Sequence, residues 1–181
     1  MMTESIADCT RCPAHLTRKN IVIQRDGEKP VTLFVGEAPG AMEDKLGQPF
    51  VGPSGKLLDE EISRIGIPPE HYAITNAVKC RPVTKKGYNR APTPEEIEHC
   101  RPFLQRQLDA MKPKVIVAVG RVAERALKNM GIGSIYVLHP AAVLRSPELK
   151  ATMQQQMDKV KKAYHTAIAP AERKATIWWW W

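Results

Sequence analysis

Four short, mostly apolar runs limit this chain more than any other feature: Val31–Gly36, Tyr72–Val78, Val115–Gly120 and Ile135–Leu138. Runs of this length that do not alternate with polar residues read as strands buried on both faces. Between and after them, apolar residues recur at helical spacing. The sets are Leu58, Ile62 and Ile65; Ile97, Leu104, Leu108 and Met111; Val122, Ala126, Leu127 and Met130; and Leu149, Met153, Met157, Val160 and Tyr164. Thr93-Pro94-Glu95-Glu96 supplies an N-cap, a proline at the first helical position and acids in the first turn, so it marks a helix start. Strands alternating with helices predict a three-layer α/β/α sandwich around a central, mainly parallel four-stranded sheet. Ligands of such sheets bind beyond the carboxyl ends of the strands. That rule places Glu37, Asn76, Gly120 and His139 in one crevice. Residues 37–55, dense in glycine and proline, read as a long functional loop after the first strand.

The 181 residues predict one domain over residues 1–168. A tail at 169–181 holds all four tryptophans and reads as a disordered or artificial extension. Hydrophobic residues at 43% and charged residues at 25% exclude a disordered or fibrous chain. No apolar run reaches the ~18–20 residues of a membrane span, and no signal-peptide pattern opens the chain. A cytoplasmic, monomeric protein is therefore expected, with no membrane partner. Lys and Arg outnumber Asp and Glu by 27 to 19, a net charge of +8, which favours a polyanionic partner but also fits a solvated basic face.

Four cysteines stand at Cys9, Cys12, Cys80 and Cys100. In a reducing compartment two disulfides are not expected. Cys9-Thr10-Arg11-Cys12 is one close pair, and the other two cysteines are solitary. Four thiolates can hold zinc or an iron–sulfur cluster, and the spacing leaves both open; four unrelated core thiols are the plainer reading. Cys80 and Cys100 are each followed by Arg-Pro, which suits ligand loops better than core positions.

Three blocks resemble family 4 uracil-DNA glycosylases. The first is Gly36-Glu37-Ala38-Pro39-Gly40, with Glu43-Asp44 and then Gly47 to Asp59. The second is Ile74-Thr75-Asn76-Ala77-Val78-Lys79-Cys80-Arg81-Pro82, and the third is His139-Pro140-Ala141-Ala142-Val143-Leu144-Arg145. The resemblance spans about Cys9 to Arg145. It implies hydrolysis of the bond between uracil and deoxyribose in single- or double-stranded DNA; no Lys occupies an obvious nucleophile position, so no strand cleavage is expected. It also implies a structural 4Fe-4S cluster on Cys9, Cys12, Cys80 and Cys100. Two departures stand out. Lys85-Lys86-Gly87-Tyr88 looks like an insertion, and Met130–Ser134 is short where relatives carry a hairpin. Residues 83–94 contain no histidine, so no covalent capture of DNA is expected.

The resemblance also implies roles for individual residues. Phe50 stacks on a flipped base. Asn76 carries an amide that both donates and accepts, as the O4 and N3–H edge of uracil requires. His139 donates to uracil O2 as negative charge develops there. Ala38 stands where better-studied relatives carry a water-activating Asp, so the water must be placed otherwise. Glu37, Glu43 and Asp44 are the candidates, with the backbone at Glu37 and Ala38 preferred. Leu144 resembles a wedge that fills the space of the flipped base. Ser54 opens a helix whose amides can meet a phosphate, and Arg145, Lys85, Lys86 and Arg90 are further phosphate contacts. Two other readings remain: a glycosylase for another altered pyrimidine, and a non-catalytic DNA-binding module of the same fold.

Overall fold

The computed structural model describes residues 6–27 and 29–175. Its strands are β1 (Gln24–Asp26), β2 (Thr32–Gly36), β3 (Tyr72–Asn76), β4 (Val115–Val119) and β5 (Ile135–Val137). Its α-helices are α1 (Ala41–Leu46), α2 (Pro53–Arg64), α3 (Pro94–Met111), α4 (Arg121–Asn129), α5 (Pro140–Arg145) and α6 (Lys150–Ala175). The strands form one sheet in the order β1-β3-β2-β4-β5. β2 pairs in parallel with both β3 and β4, and β4 pairs in parallel with β5. The chain thus leaves β2 toward β3 and returns on the other side of β2 as β4. Such a reversal opens a crevice at the carboxyl edge.

Alternate residues of each strand point to opposite faces, and both faces are covered. Phe34, Ile74, Val117 and Val137 pack with Leu58 and Ile62 of α2 and with Met153, Met157 and Val160 of α6. Leu33, Val35, Ala73 and Ala118 pack with Leu104 and Leu108 of α3 and Leu127 of α4. The expected three layers are therefore present.

The sheet has five strands rather than four. The missing one, β1, runs antiparallel to β3, with Gln24 opposite Thr75 and Asp26 opposite Ala73. Gln-Arg-Asp carries no apolar signal, and a short charged edge strand is held by backbone pairing alone. The loop after β2 also contains more structure than expected. α1 forms there because Glu43 Oε2 accepts the Gly40 amide at 3.1 Å, satisfying one of the unpaired donors of the first turn. The last helix runs past the expected boundary at residue 168 to Ala175. The four tryptophans, residues 178–181, lie outside the described residues.

α3 starts where its sequence signature placed it. Thr93 Oγ1 accepts from Glu96 N at 3.2 Å, and Glu96 Oε2 accepts from Thr93 N at 2.8 Å. This reciprocal pair satisfies two donors at the helix start. Thr93→Ala should therefore cost about 1 kcal/mol. The check is a lower urea midpoint at unchanged slope.

Candidate active site and cysteine cluster

An open cleft of about 630 Å³ lies beyond the carboxyl ends of the strands. Glu37, Ala38, Phe50, Asn76 and His139 all line it, as do Ser54 and Arg145. The register of β2 on β3 sets Gly36 opposite Asn76. A Cβ on Gly36 would lie 2.4 Å from Asn76 Oδ1 and 2.5 Å from the Phe50 ring. Only glycine at this position lets the amide and the ring meet over the strand end.

Asn76 is 2% exposed, and its Oδ1 has no hydrogen-bond partner. A buried acceptor left unpaired costs ~1–3 kcal/mol, so an orphan at a cleft wall calls for a donor from a ligand. Phe50 adopts a left-handed backbone at φ 54°, a conformation that persists only when its surroundings enforce it. They do so here. Arg25 of β1 donates to the Phe50 carbonyl at 3.0 Å and pairs with Asp59 of α2. Gly55 packs so close that an added Cβ would fall 1.7 Å from the same oxygen. The Phe50 ring lies 5.8 Å from the His139 ring at an angle of 32°.

His139 caps α5, with its Nδ1 accepting from Ala141 N at 3.1 Å. The proton of the neutral ring therefore sits on Nε2. Burial, reinforced by the nearby Arg145 charge and only partly opposed by Glu43, holds the imidazole down at about 4. His139 is thus a neutral donor at physiological pH. Gln156 of α6 steadies the approach by accepting the Leu138 amide at 2.8 Å.

The cleft carboxylates have different duties. Glu43 Oε1 accepts from Val51 N at 3.0 Å and Gly52 N at 2.9 Å, so its carboxylate knits the loop together. Asp44 is buried and accepts from Lys19 N and Asn20 N at 2.9 and 3.2 Å. Neither is free to act on a water. The Glu37 carboxylate has no partner among the described residues, and burial raises its carboxyl above the ordinary value.

The basic residues also divide. Arg90 lines the cleft, but its guanidinium grips Glu96 at 2.7 Å through both terminal nitrogens. It is a brace for α3 rather than a free phosphate contact. Lys85 and Lys86 stand exposed on a turn outside the cleft lining. Leu144 is 51% exposed on α5 and does not line the cleft itself.

Cys9, Cys12, Cys80 and Cys100 line a single second pocket, together with Ile6, Val78 and Phe103. Cys80 follows β3 in a loop as expected. Cys100 instead lies within α3, whose capping box carries the helix through this position despite Pro102. Burial raises the thiols of Cys12 and Cys100, and that of Cys80 to about 11. Lys79 N donates to Cys100 Sγ at 3.3 Å and Arg18 to Cys80 Sγ at 3.6 Å. Donors aimed at sulfur inside an apolar pocket fit bound thiolates better than idle core thiols. Among the described residues no three His, Cys, Asp or Glu side chains converge on one metal ion. Four thiols lining one pocket are a donor set of the kind that zinc or an iron–sulfur cluster takes.

Sequence reasoning missed Lys79 as a linking residue. It is 1% exposed, and its Nζ donates to Thr75 Oγ1 at 2.6 Å and to the Asn76 carbonyl at 2.5 Å. One residue thus ties a cysteine sulfur to the backbone of the cleft amide. Burial lowers its ammonium to about 8. Such a value can mark a nucleophile, but this side chain is sealed from the cleft. Gly36, Arg25 and Asn89 were missed as well. Only Gly36, a glycine ending an apolar run, left a trace in the sequence.

A model of the Uracil DNA glycosylase superfamily matches residues 26–165. The chain belongs to this superfamily. A type-4 uracil-DNA glycosylase from Archaeoglobus fulgidus is 39% identical over 88% of this chain and 89% of its own length. One from Pyrobaculum aerophilum is 40% identical over 85% and 88%. One from Thermotoga maritima is 46% identical over 68% and 62%. The superfamily match covers the whole sheet from Asp26 onward and every cleft residue above. Among the described residues no helix is long and apolar enough to cross a membrane.

Two outcomes follow from this geometry. Gly55→Ala should destabilise the fold by about 3 kcal/mol, because the clash is with backbone and cannot be relieved by a rotamer. Urea denaturation reads this directly. His139 titrates lower in the folded state than its ordinary 6.5. Between those values the unfolded chain binds a proton that the native chain does not, so stability falls as pH drops from about 6.5 toward 4. His139→Asn should flatten that part of the stability profile.

Proposed function

We propose that this protein is a monofunctional uracil-DNA glycosylase, which hydrolyses the N-glycosidic bond of deoxyuridine in DNA and leaves an abasic site. The observation that carries this reading is the unpartnered Asn76 Oδ1 beside Phe50 and His139. Uracil presents an N3–H to that acceptor and an O4 to the same amide's nitrogen. Cytosine presents an acceptor at N3 and a donor at N4, so it leaves the orphan oxygen unsatisfied. The flipped base stacks on Phe50 and costs a few kcal/mol to extrude.

As the bond breaks, the electron pair moves to the base and the sugar becomes cationic. The neutral His139 donates through Nε2–H to uracil O2, where negative charge collects. A protonated imidazole is not needed, because a preorganised donor in a water-poor site is worth ~3–4 kcal/mol. Glu37 lies in the cleft as an anion for the cationic sugar, and the Glu37–Ala38 backbone holds the attacking water. Water adds hydroxide to C1′, and its proton ends on the departing uracil anion. Lys79, the lysine whose lowered value could suggest covalent catalysis, is buried among Thr75, Asn76 and Cys100. No strand cleavage is expected from it.

Leu144 fills the space vacated by the base, and Ser54, Arg145, Lys85 and Lys86 hold the phosphates. The four cysteines are read as ligands of a 4Fe-4S cluster. Bound there, the cluster supplies a cross-link between the segment around Cys9 and Cys12, the loop after β3, and α3. The sulfur-directed donors of Lys79 and Arg18 support this. Anaerobically purified protein should be brown with a broad visible absorption band, and Cys80→Ala or Cys100→Ala should lose both colour and solubility. Zinc without iron by metal analysis would overturn the cluster.

Single-turnover release of uracil from a uracil-containing oligonucleotide tests the activity. His139→Ala should slow release on the order of 10²–10³-fold with little change in DNA affinity. Asn76→Ala should slow it too and narrow the preference for uracil over cytosine. Wild-type protein that binds DNA and releases neither uracil nor any altered pyrimidine would leave only the binding-module reading. Release of another altered pyrimidine in its place would support the second glycosylase reading.

A further inference from the structure

The segment between the second motif block and α3 folds into a small braced hairpin. Val83 pairs with Asn89, and Thr84 N donates to the Tyr88 carbonyl at 2.8 Å. Gly87 takes the left-handed conformation at φ 81° that closes the turn, and Tyr88 N donates to Thr84 Oγ1 at 3.2 Å. Arg81 stitches the outside, donating to Asn89 Oδ1 at 2.6 Å and to the Gly87 carbonyl at 3.1 Å. At the base, Arg90 is clamped to Glu96. Asn89, Arg90 and Ala91 form part of the cleft wall, so the hairpin rises from the cleft rim.

The tip carries Lys85, Lys86 and Tyr88. Tyr88 is 70% exposed, the most exposed aromatic side chain among the described residues. A single exposed tyrosine needs no explanation. A tyrosine held on a stiff hairpin beside two lysines, one residue from a cleft wall, matches the parts of a single-strand platform: an aromatic face for a base and cations for the backbone. Such bracing lowers the ordering cost of binding.

We propose that Tyr88 stacks on an unpaired base next to the flipped nucleotide, with Lys85 and Lys86 on the flanking phosphates, making this hairpin a reader of single-stranded DNA. The proposal rests on the uracil-DNA reading above and deepens it. The physical basis for strand choice is simple. In a duplex the neighbouring bases stay paired and stacked on their outer sides, and Leu144 covers the face that flipping exposes, so none is left for a side chain at the rim. In a single strand each base has one.

The test uses a single-stranded oligonucleotide whose central deoxyuridine carries a 2′-fluorine, which destabilises the cationic sugar and blocks release. 2-Aminopurine is placed at either neighbouring position, and the matching duplex serves as control. Wild-type protein and Tyr88→Phe should quench the fluorophore on one side. Tyr88→Ala should abolish the quenching and weaken single-strand binding by about 5- to 150-fold, with duplex binding unchanged within about twofold. Lys85→Ala with Lys86→Ala should reduce the salt slope of single-strand binding by about 1.4. Equal loss of single-strand and duplex binding in Tyr88→Ala, or no loss in either, overturns the proposal. Neither result touches uracil release. Absence of release by wild-type protein would instead remove the function on which the proposal rests, whatever Tyr88 does.

Discussion

The parallel register of β2 on β3 is the constraint on which the site depends. It sets Gly36 against Asn76 at the last paired position. The pairing continues past the strands, with Ala77 N donating to the Gly36 carbonyl at 2.8 Å and Val78 N to the Glu37 carbonyl at 3.0 Å. These bonds carry Glu37 into the cleft on one side and deliver Lys79 and Cys80 to the cysteine pocket on the other. A slip of one residue would turn Asn76 to the opposite face. The proposed base-reading amide, the unpartnered carboxylate and a proposed cluster ligand thus share a single backbone origin.

Around that origin, side chains that look catalytic act as supports. Glu43 holds the loop amides of Gly40, Val51 and Gly52. Asp44 anchors the segment at Lys19 and Asn20. Arg25, from an edge strand on the far side of β3, holds the Phe50 carbonyl. Charged hydrogen bonds to backbone amides are among the stronger ones. They keep the long loop in one conformation, with Asn76 Oδ1 and the Glu37 carboxylate unpartnered and His139 lining the cleft beside them.

The cysteine pocket and the cleft are physically joined through Lys79. Its backbone meets Cys100 sulfur and its ammonium meets the Asn76 carbonyl. The proposed cluster would therefore bear, through Lys79, on the strand end that carries the proposed base-reading amide.

Much of this was legible in the chain. The four apolar runs dictated a buried parallel sheet, because strands covered on both faces need apolar residues at every position. The Thr93–Glu96 signature marked a helix start, and the ordered motif blocks pointed to Phe50, Asn76 and His139. What stayed hidden depended on partners distant in sequence. β1 had no pattern because backbone pairing alone holds it. Glu43 and Asp44 were indistinguishable from Glu37 until loop closure brought amides to the first two and none to the third. Cys100 read as a loop residue because its Arg-Pro neighbour is local, whereas the helix that holds it is started seven residues earlier. Apolar periodicity is a property of the chain and determined the fold. The duty of each polar group depends on which donors and acceptors the folded backbone sets within about 3 Å of it, and only the tertiary structure decided that.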